Sequence, residues 1–153
     1  MREILNPFEE LLVRLVKAGI HFITVGGLAC AMNGYVRPTE DVDLLIKRDP
    51  ENIKRLLKFL STYGLGFGAE LQESDFSDEE GAVRVIEDFP IDLFVVMSGK
   101  HFEDFQSQIE QIDLQGIPIP YLSKEGLIEL KKESLREKDK MDVLNLKNLC
   151  KKG

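Results

Sequence analysis

Apolar residues recur with helical spacing in some segments of the chain and form short unbroken runs in others, which predicts a mixture of helices and strands. Two long segments begin alike, with Asn6-Pro7 and Asp49-Pro50, because each pair supplies a capping side chain and then a proline at the first helical position. Their apolar stripes run on to Gly19 and to Tyr63-Gly64. Helices are predicted at residues 7–18, 27–32, 50–63, 101–108, 124–133 and 138–150.

Short apolar runs bounded by turn residues predict the strands. The turn at Asp88-Phe89-Pro90 favours a hairpin between two of them. Glycine, serine and acidic residues dominate residues 64–81, where a mobile loop is expected. Strands are predicted at residues 21–25, 41–46, 83–86, 91–96 and 109–114, with an extended segment at 117–120. This order of elements predicts one α+β domain over residues 1–153, with a mixed β-sheet backed by helices.

Composition narrows the class of protein. The chain has 153 residues, 43% of them hydrophobic, which suits one globular domain. No apolar run approaches the roughly 20 residues that cross a bilayer, so no membrane partner is expected. The N-terminus lacks the apolar core of a signal peptide, and Cys30 and Cys150 are too far apart for a metal motif. Free thiols in a reducing cytoplasm are therefore expected.

The net charge of −7 argues against general attraction to nucleic acid, but the charge is unevenly distributed. Residues 66–113 carry two Lys/Arg against thirteen acidic residues, whereas residues 114–153 carry nine against six. The acidic middle is interpreted as a solvated surface. The basic C-terminal part would either meet phosphates or form a charged helix face.

Three aspartates in apolar strands are the main candidates for chemistry. Alternate residues of a strand share a face, so Asp41 and Asp43 would lie side by side, about 6–7 Å apart along the backbone. Such carboxylates repel each other unless a cation lies between them, and Mg²⁺ is a natural partner for their oxygens. Asp92, in a later apolar strand, could complete the cage. Alternatively, Arg37 or Arg84 would simply pair with Asp92.

Gly26 and Gly27 follow the strand predicted at 21–25 and open a short helix. Backbone N–H groups at such a corner favour phosphate. The alternative is a tight turn without a ligand.

The combination of these motifs resembles the nucleotidyltransferase (polymerase-beta-like) superfamily. Thirteen residues separate Val25-Gly26-Gly27 from Asp41-Val42-Asp43, and Ile91-Asp92-Leu93 comes further along the chain. The predicted order of helix, strand, Gly-Gly helix and Asp-x-Asp strand also resembles the core of that fold.

One branch of the superfamily is matched more fully. Residues 37–43 resemble the Arg-x-Thr-x-Asp-x-Asp stretch of the abortive-infection toxin-like nucleotidyltransferases, and the chain looks like a minimal member of that branch. Near the C-terminus, Lys131 and residues 136–142 resemble the branch's Lys…Arg-x-Lys-Asp-x-x-Asp segment.

The resemblance implies an enzyme that moves a nucleoside monophosphate from an NTP to an acceptor hydroxyl or phosphate, on a protein or RNA of unknown identity. Asp41, Asp43 and Asp92 would be the catalytic residues and the ligands of Mg²⁺ or Mn²⁺, with Asp92 taking the acceptor's proton. The residues expected to bind the nucleotide are Gly26, Gly27, Arg37, Thr39 and Lys131.

Other interpretations stay open. Arg37 would equally serve to stabilise a turn, and the Thr39 hydroxyl to cap an aspartate. Arg136, Lys138, Asp139 and Asp142 would form an ion-pair network that fixes the last helix. The whole chain could be an inert nucleotide-binding or interaction module, such as one member of a toxin–antitoxin-like pair. An antibiotic-modifying nucleotidyltransferase would use the acidic loop 70–80 for a cationic acceptor. A purely structural domain would pair its aspartates with arginines.

Overall fold

The computed structural model of the protein describes residues 4–132, 134 and 136–152, with side chains as far as residue 149. The helices within these residues are α1 (Pro7–Lys17), α2 (Gly26–Met32), α3 (Pro50–Thr62), α4 (Lys124–Lys131) and α5 (Glu137–Lys152). The strands are β1 (Phe22–Val25), β2 (Val42–Ile46), β3 (Ala82–Ile86), β4 (Pro90–Phe94), β5 (Ile109–Leu114) and β6 (Ile117–Leu122). Short 3₁₀ helices cover Phe67–Glu70, Glu73–Asp75 and Phe102–Gln108.

The six strands form one mixed sheet in the order β3-β4-β2-β1-β6-β5. β2 pairs in parallel with β4 and β1 pairs in parallel with β6, while the β1–β2, β3–β4 and β5–β6 pairs are antiparallel. The predicted α+β class with a mixed sheet is confirmed, and so is the hairpin formed by β3 and β4.

Both faces of the sheet are covered, because alternate residues of the central strands pack into different cores. Phe22 of β1 joins a core that includes Leu11 of α1 and Leu56 of α3. Ile23, its neighbour in the strand, joins a second core with Leu127 of α4, to which α2 and α5 also contribute. Central strands buried on both faces explain why their sequences read as unbroken apolar runs.

The predicted helix starts are confirmed at their caps. The Asn6 side chain accepts a hydrogen bond from the Glu9 backbone N–H at 2.8 Å, and the Glu9 carboxylate accepts one from the Asn6 backbone N–H at 3.0 Å. The Asp49 side chain accepts from the N–H of Glu51 at the start of α3. Ser123 caps α4 by accepting from the N–H of Gly126 at 3.3 Å. These bonds satisfy N–H groups that a helix leaves unpaired in its first turn.

The segment at 64–81 differs from the mobile loop that its composition predicts. It contains two 3₁₀ helices and buries Phe76 against the core of α1 and α3. The Glu87 carboxylate accepts from the N–H groups of Leu65 and Phe67, which fastens the segment to the end of β3. The burial of Phe76 is a tertiary contact that the local composition of residues 64–81 does not predict.

Smaller departures concern element ends and thiols. The helix predicted at 101–108 is 3₁₀ rather than α, and α4 ends at Lys131. Cys30 is a buried free thiol, as expected, whereas the Cys150 side chain lies outside the described residues. Among the described residues, none of the helices has the length and apolarity to cross a membrane.

Candidate active site

The parallel pairing of β2 with β4 brings the three aspartates together. Asp43 lies opposite Asp92 in the register, and Asp41 directly precedes β2. One carboxylate oxygen from each of Asp41, Asp43 and Asp92 lies within 4.8 Å of the other two. The structure thus confirms that these side chains face one another. Three hard oxygen donors at this spacing are a ligand set suited to Mg²⁺ or Mn²⁺.

Asp43 is the most perturbed member of this cluster. Burial, and then the charges of Asp41 and Asp92, raise its pKa to about 7. Among the described residues, no Lys or Arg lies within ion-pairing distance of Asp43. A divalent cation would supply the missing positive charge, so the residues present fit a metal ion.

Asp92 already has a cationic partner. Arg84 of β3 donates to both of its oxygens, from Nε at 2.7 Å and from Nη2 at 2.9 Å. The same Nη2 lies 4.0 Å from Asp41. The sequence offered Arg37 and Arg84 as partners of Asp92. In the structure Arg84 is that partner, whereas Arg37 pairs with Asp142.

The glycine pair lies against this cluster. Gly26 has a φ of +67°, and a Cβ there would stand 2.2 Å from Asp43 Oδ2. A Cβ on Gly27 would stand 2.7 Å from the Thr39 hydroxyl. Both residues must be glycine if the start of α2 is to approach Asp43 and Thr39 this closely.

Arg37 and Thr39 hold the connection between α2 and β2. Arg37 donates from Nε and Nη2 to the two oxygens of Asp142, at 2.8 and 3.0 Å. The Thr39 hydroxyl donates to the Arg37 carbonyl at 3.2 Å. This geometry favours a structural role for both residues, although the Thr39 hydroxyl bonds the Arg37 carbonyl and does not cap an aspartate.

A buried ion network joins this connection to α4 and α5. Lys131 contacts Asp142 by a short ion pair and Asp139 at 3.5 Å, and Asp142 is fully buried. Arg136 donates to both oxygens of Asp139, at 2.8 and 3.1 Å. Burial acts to raise the pKa of Asp139, but hydrogen bonds from Arg136 and Ser134 and the charge of Lys131 lower it to about 2.

The predicted network around the last helix is therefore present, with one correction. Lys138 forms no ion pair with Asp139 or Asp142 among the described residues, whereas Arg37 and Lys131, which the sequence argument assigned to the nucleotide, both belong to the network. The partners Arg37 and Asp142 are 105 residues apart, so their pairing has no signal in local spacing.

The cluster of aspartates opens into a cleft of about 360 Å³. One wall is cationic and comes from α4, α5 and the link between them, with Lys131, Arg136 and Lys138. The apolar part of the lining includes Phe94, Val96 and Met97. Of the five residues expected to bind the nucleotide, Gly26 and Lys131 line the cleft, whereas Gly27, Arg37 and Thr39 do not. Lys138 and Arg84 were missed as cleft residues, although Lys138 lies within the motif at residues 136–142 and Arg84 had been considered as a partner of Asp92.

Solved structures with similar folds identify the class. LnuA, a lincosamide antibiotic adenylyltransferase in its lincomycin-bound form, matches with a TM-score of 0.63 and 14% identity, over 92% of this chain and 94% of LnuA. A candidate nucleotidyltransferase from Thermotoga maritima, TM1012, matches with a TM-score of 0.57 and 14% identity, over 98% and 97%. An antigenic nucleotidyltransferase-like protein from Paracoccidioides brasiliensis matches with a TM-score of 0.55 and 20% identity, over 91% and 72%. The fold is that of the nucleotidyltransferases.

Membership of a particular family follows from the sequence. Residues 3–151 match the family described as "Nucleotidyltransferase of unknown function (DUF6036)", so the chain belongs to that family. None of the curated proteins matches the chain in sequence. The superfamily resemblance drawn from the glycine pair and the three aspartates is confirmed.

Proposed function

We propose that the protein transfers a nucleoside monophosphate from an NTP to an acceptor hydroxyl or phosphate, with residues 1–153 acting as one catalytic domain. The observation that carries this proposal is the meeting of three carboxylates within 4.8 Å at the mouth of a cleft, in a member of a nucleotidyltransferase family.

Asp41 and Asp43 are the residues that would hold a Mg²⁺ or Mn²⁺ ion, because Asp43 is half-buried beside like charges and lacks a cationic partner among the described residues. A bound ion would offset the charge that builds on the transferred phosphoryl group and on the leaving pyrophosphate. The protein's own part is to fix Asp43 on a central strand and Asp41 directly before that strand, so that the site needs little rearrangement.

The cationic wall is the natural place for the triphosphate. Lys138 is exposed and lines the cleft without an ion pair to the network, so its ammonium is available to an anionic ligand. Lys131 lines the same wall and is positioned by Asp139 and Asp142. The backbone at Gly26 and Gly27 would bring N–H groups to the phosphates beside Asp43.

Arg37 and Thr39 would act as positioning residues. The Thr39 hydroxyl lies where a Cβ on Gly27 would intrude, and Arg37 ties the same segment to Asp142 of α5. They would set the distance between the start of α2 and the aspartates, and so affect nucleotide affinity without touching the nucleotide.

Asp92 would act on the acceptor. The acceptor oxygen attacks the α-phosphorus, the bond from that phosphorus to the pyrophosphate oxygen breaks, and the acceptor's proton passes to a carboxylate oxygen of Asp92. Each oxygen that accepts from Arg84 keeps a second lone pair for this proton.

The acceptor would be a protein, an RNA or a small molecule. The acidic loop at 70–80 offers limited support for a cationic antibiotic, because several of its carboxylates are used within the protein. Asp75 accepts from the Gln72 N–H, Asp78 pairs with His101, and Glu80 accepts from the N–H groups of Ser98 and Gly99.

The direct test is transfer of label from α-³²P-labelled ATP, CTP, GTP and UTP in the presence of Mg²⁺ or Mn²⁺, with pyrophosphate release measured in parallel. Asp41→Asn/Asp43→Asn should abolish metal-dependent turnover, whereas Asp88→Asn, an exposed aspartate of the β3–β4 turn, should keep it. Equal turnover in the wild type and the double variant would exclude this mechanism. Nucleotide binding without any turnover would favour the inert module, including a member of a toxin–antitoxin-like pair.

A further inference from the structure

Arg84 occupies the Asp92 side of the candidate metal site. Its guanidinium forms two parallel hydrogen bonds to the Asp92 carboxylate, at 2.7 and 2.9 Å, and so engages both oxygens. Because Nη2 also lies 4.0 Å from Asp41 Oδ2, the guanidinium spans the space between Asp92 and Asp41.

The pairing is built into the sheet. Arg84 lies directly opposite Asp92 in the antiparallel register of β3 and β4, so the two side chains meet without any adjustment of the backbone. Asp92 is buried, with 6% exposure, whereas the Arg84 side chain is 53% exposed. A buried carboxylate requires a partner, and Arg84 is the partner that the fold supplies.

A second divalent ion shared by Asp92 and Asp41 would need the same oxygens and the same space. The three carboxylates together with the guanidinium leave roughly two negative charges, which one divalent ion neutralises. We propose, resting on the proposed function, that Arg84 replaces a second metal ion, so that the site binds a single divalent ion through Asp41 and Asp43.

The experiment is a Mn²⁺ titration of the full chain at pH 8 without nucleotide. The electron paramagnetic resonance signal of free Mn²⁺ gives the number of ions bound per chain, and isothermal titration gives their affinity. We expect one ion on the wild type. Arg84→Gln keeps a hydrogen-bond donor but loses the positive charge and the paired hydrogen bonds to Asp92, so this variant should bind two Mn²⁺ ions.

Two variants test whether the second ion arrives for the stated reason. Arg84→Gln frees the Asp92 carboxylate to bind a second ion, and Asp92→Asn removes that carboxylate. The double variant Arg84→Gln/Asp92→Asn should therefore bind one ion again. Arg136→Gln is the matched control, because it removes an equal charge from the same cleft at a residue paired with Asp139. It should stay at one ion.

Asp92→Asn provides a test that does not depend on the folding of an Arg84 variant. Because Asp92 does not ligate the single ion, the Mn²⁺ dissociation constant should change less than about threefold, or under 1 kcal/mol. A loss of tenfold or more would overturn the proposal, since Asp92 would then be a metal ligand.

The other contrary results separate this inference from the proposed function. Two ions on the wild type, one ion on Arg84→Gln, or two on Arg84→Gln/Asp92→Asn would each overturn the role of Arg84 and leave a metal-dependent transferase intact. No ion on any variant, including the wild type, would overturn both.

Discussion

At the scale of one residue, Asp43 is placed where its charged carboxylate destabilises the metal-free folded protein. The side chain lies on a central strand. Burial, together with the negative charges of Asp41 and Asp92, raises its pKa to about 7. Residues placed this unfavourably are commonly retained where a ligand provides the compensation.

The raised pKa predicts how metal-free stability depends on pH. The folded protein holds the Asp43 proton up to about pH 7, whereas the unfolded chain releases it near pH 4. The contribution of this proton to stability is therefore complete below about pH 4 and is lost as the pH rises to 7. In EDTA at pH 8, Asp43→Asn should be more stable than the wild type, on the order of 1–2 kcal/mol after allowing for partial exposure.

Thermal unfolding at pH 8 and at pH 5 measures this effect. The difference in melting temperature between Asp43→Asn and the wild type should be several degrees at pH 8 and smaller at pH 5, where the folded wild type still holds the Asp43 proton. A variant that is less stable than the wild type at pH 8 would contradict the account of Asp43.

Gly26 offers a second prediction at the residue scale. An alanine Cβ there would clash with Asp43 Oδ2 and would also sit at a φ of +67°. Gly26→Ala should lower Mg²⁺-dependent nucleotide affinity by about tenfold or more, or at least 1.4 kcal/mol, because Asp43 must move. Gly19→Ala is the matched control, since Gly19 has a φ of +77° and nothing within 4 Å of a Cβ.

Both glycine variants should lose about 1–2 kcal/mol of stability from the left-handed backbone, which thermal unfolding reports. Only Gly26→Ala should lose nucleotide binding in isothermal titration. Equal affinities for the two variants would show that the contact between Gly26 and Asp43 does not shape the site.

At the scale of elements, the sequence predicted the parts that local chemistry determines. Asn6-Pro7 and Asp49-Pro50 marked helix starts because capping and proline geometry are local properties. The placing of β1 between β2 and β6, and the burial of Phe76, depend on contacts between distant segments. Of the candidate site, the three aspartates could be predicted as a group, whereas the pairing of Arg37 with Asp142 could not, since 105 residues separate them.

The network around Asp142 is the element-scale feature with the largest expected effect on stability. Asp142 is fully buried and receives Arg37 and Lys131, so it links the α2–β2 connection to α4 and α5. Asp142→Ala leaves Arg37 without its carboxylate partner and Lys131 with Asp139 alone, and should cost about 3–5 kcal/mol of unfolding free energy. Chemical denaturation measures this loss.

Glu137→Ala is the comparison within α5. Glu137 pairs with Lys140 at 3.7 Å and its side chain is 87% exposed, so its removal should change stability by less than about 0.5 kcal/mol. Similar losses for Asp142→Ala and Glu137→Ala would mean that the buried network does not hold the two helices in place.

At the scale of the whole molecule, acidic and basic residues from distant parts of the sequence line the same cleft. The sheet presents the aspartates at one end of the cleft, and the basic C-terminal part presents Lys131, Arg136 and Lys138 along one wall. A divalent ion and a triphosphate are complementary to these two surfaces. The overall negative charge therefore does not exclude an anionic nucleotide from a site whose own wall is cationic.

Isothermal titration of the wild type with ATP, CTP, GTP and UTP, with and without Mg²⁺, tests the central claim most directly. We expect that at least one NTP binds only with Mg²⁺, that Asp41→Asn/Asp43→Asn abolishes this binding, and that Asp88→Asn preserves it. Binding of equal strength without Mg²⁺ or in the double variant, or no binding of any NTP, would contradict a metal-dependent nucleotide site at these aspartates.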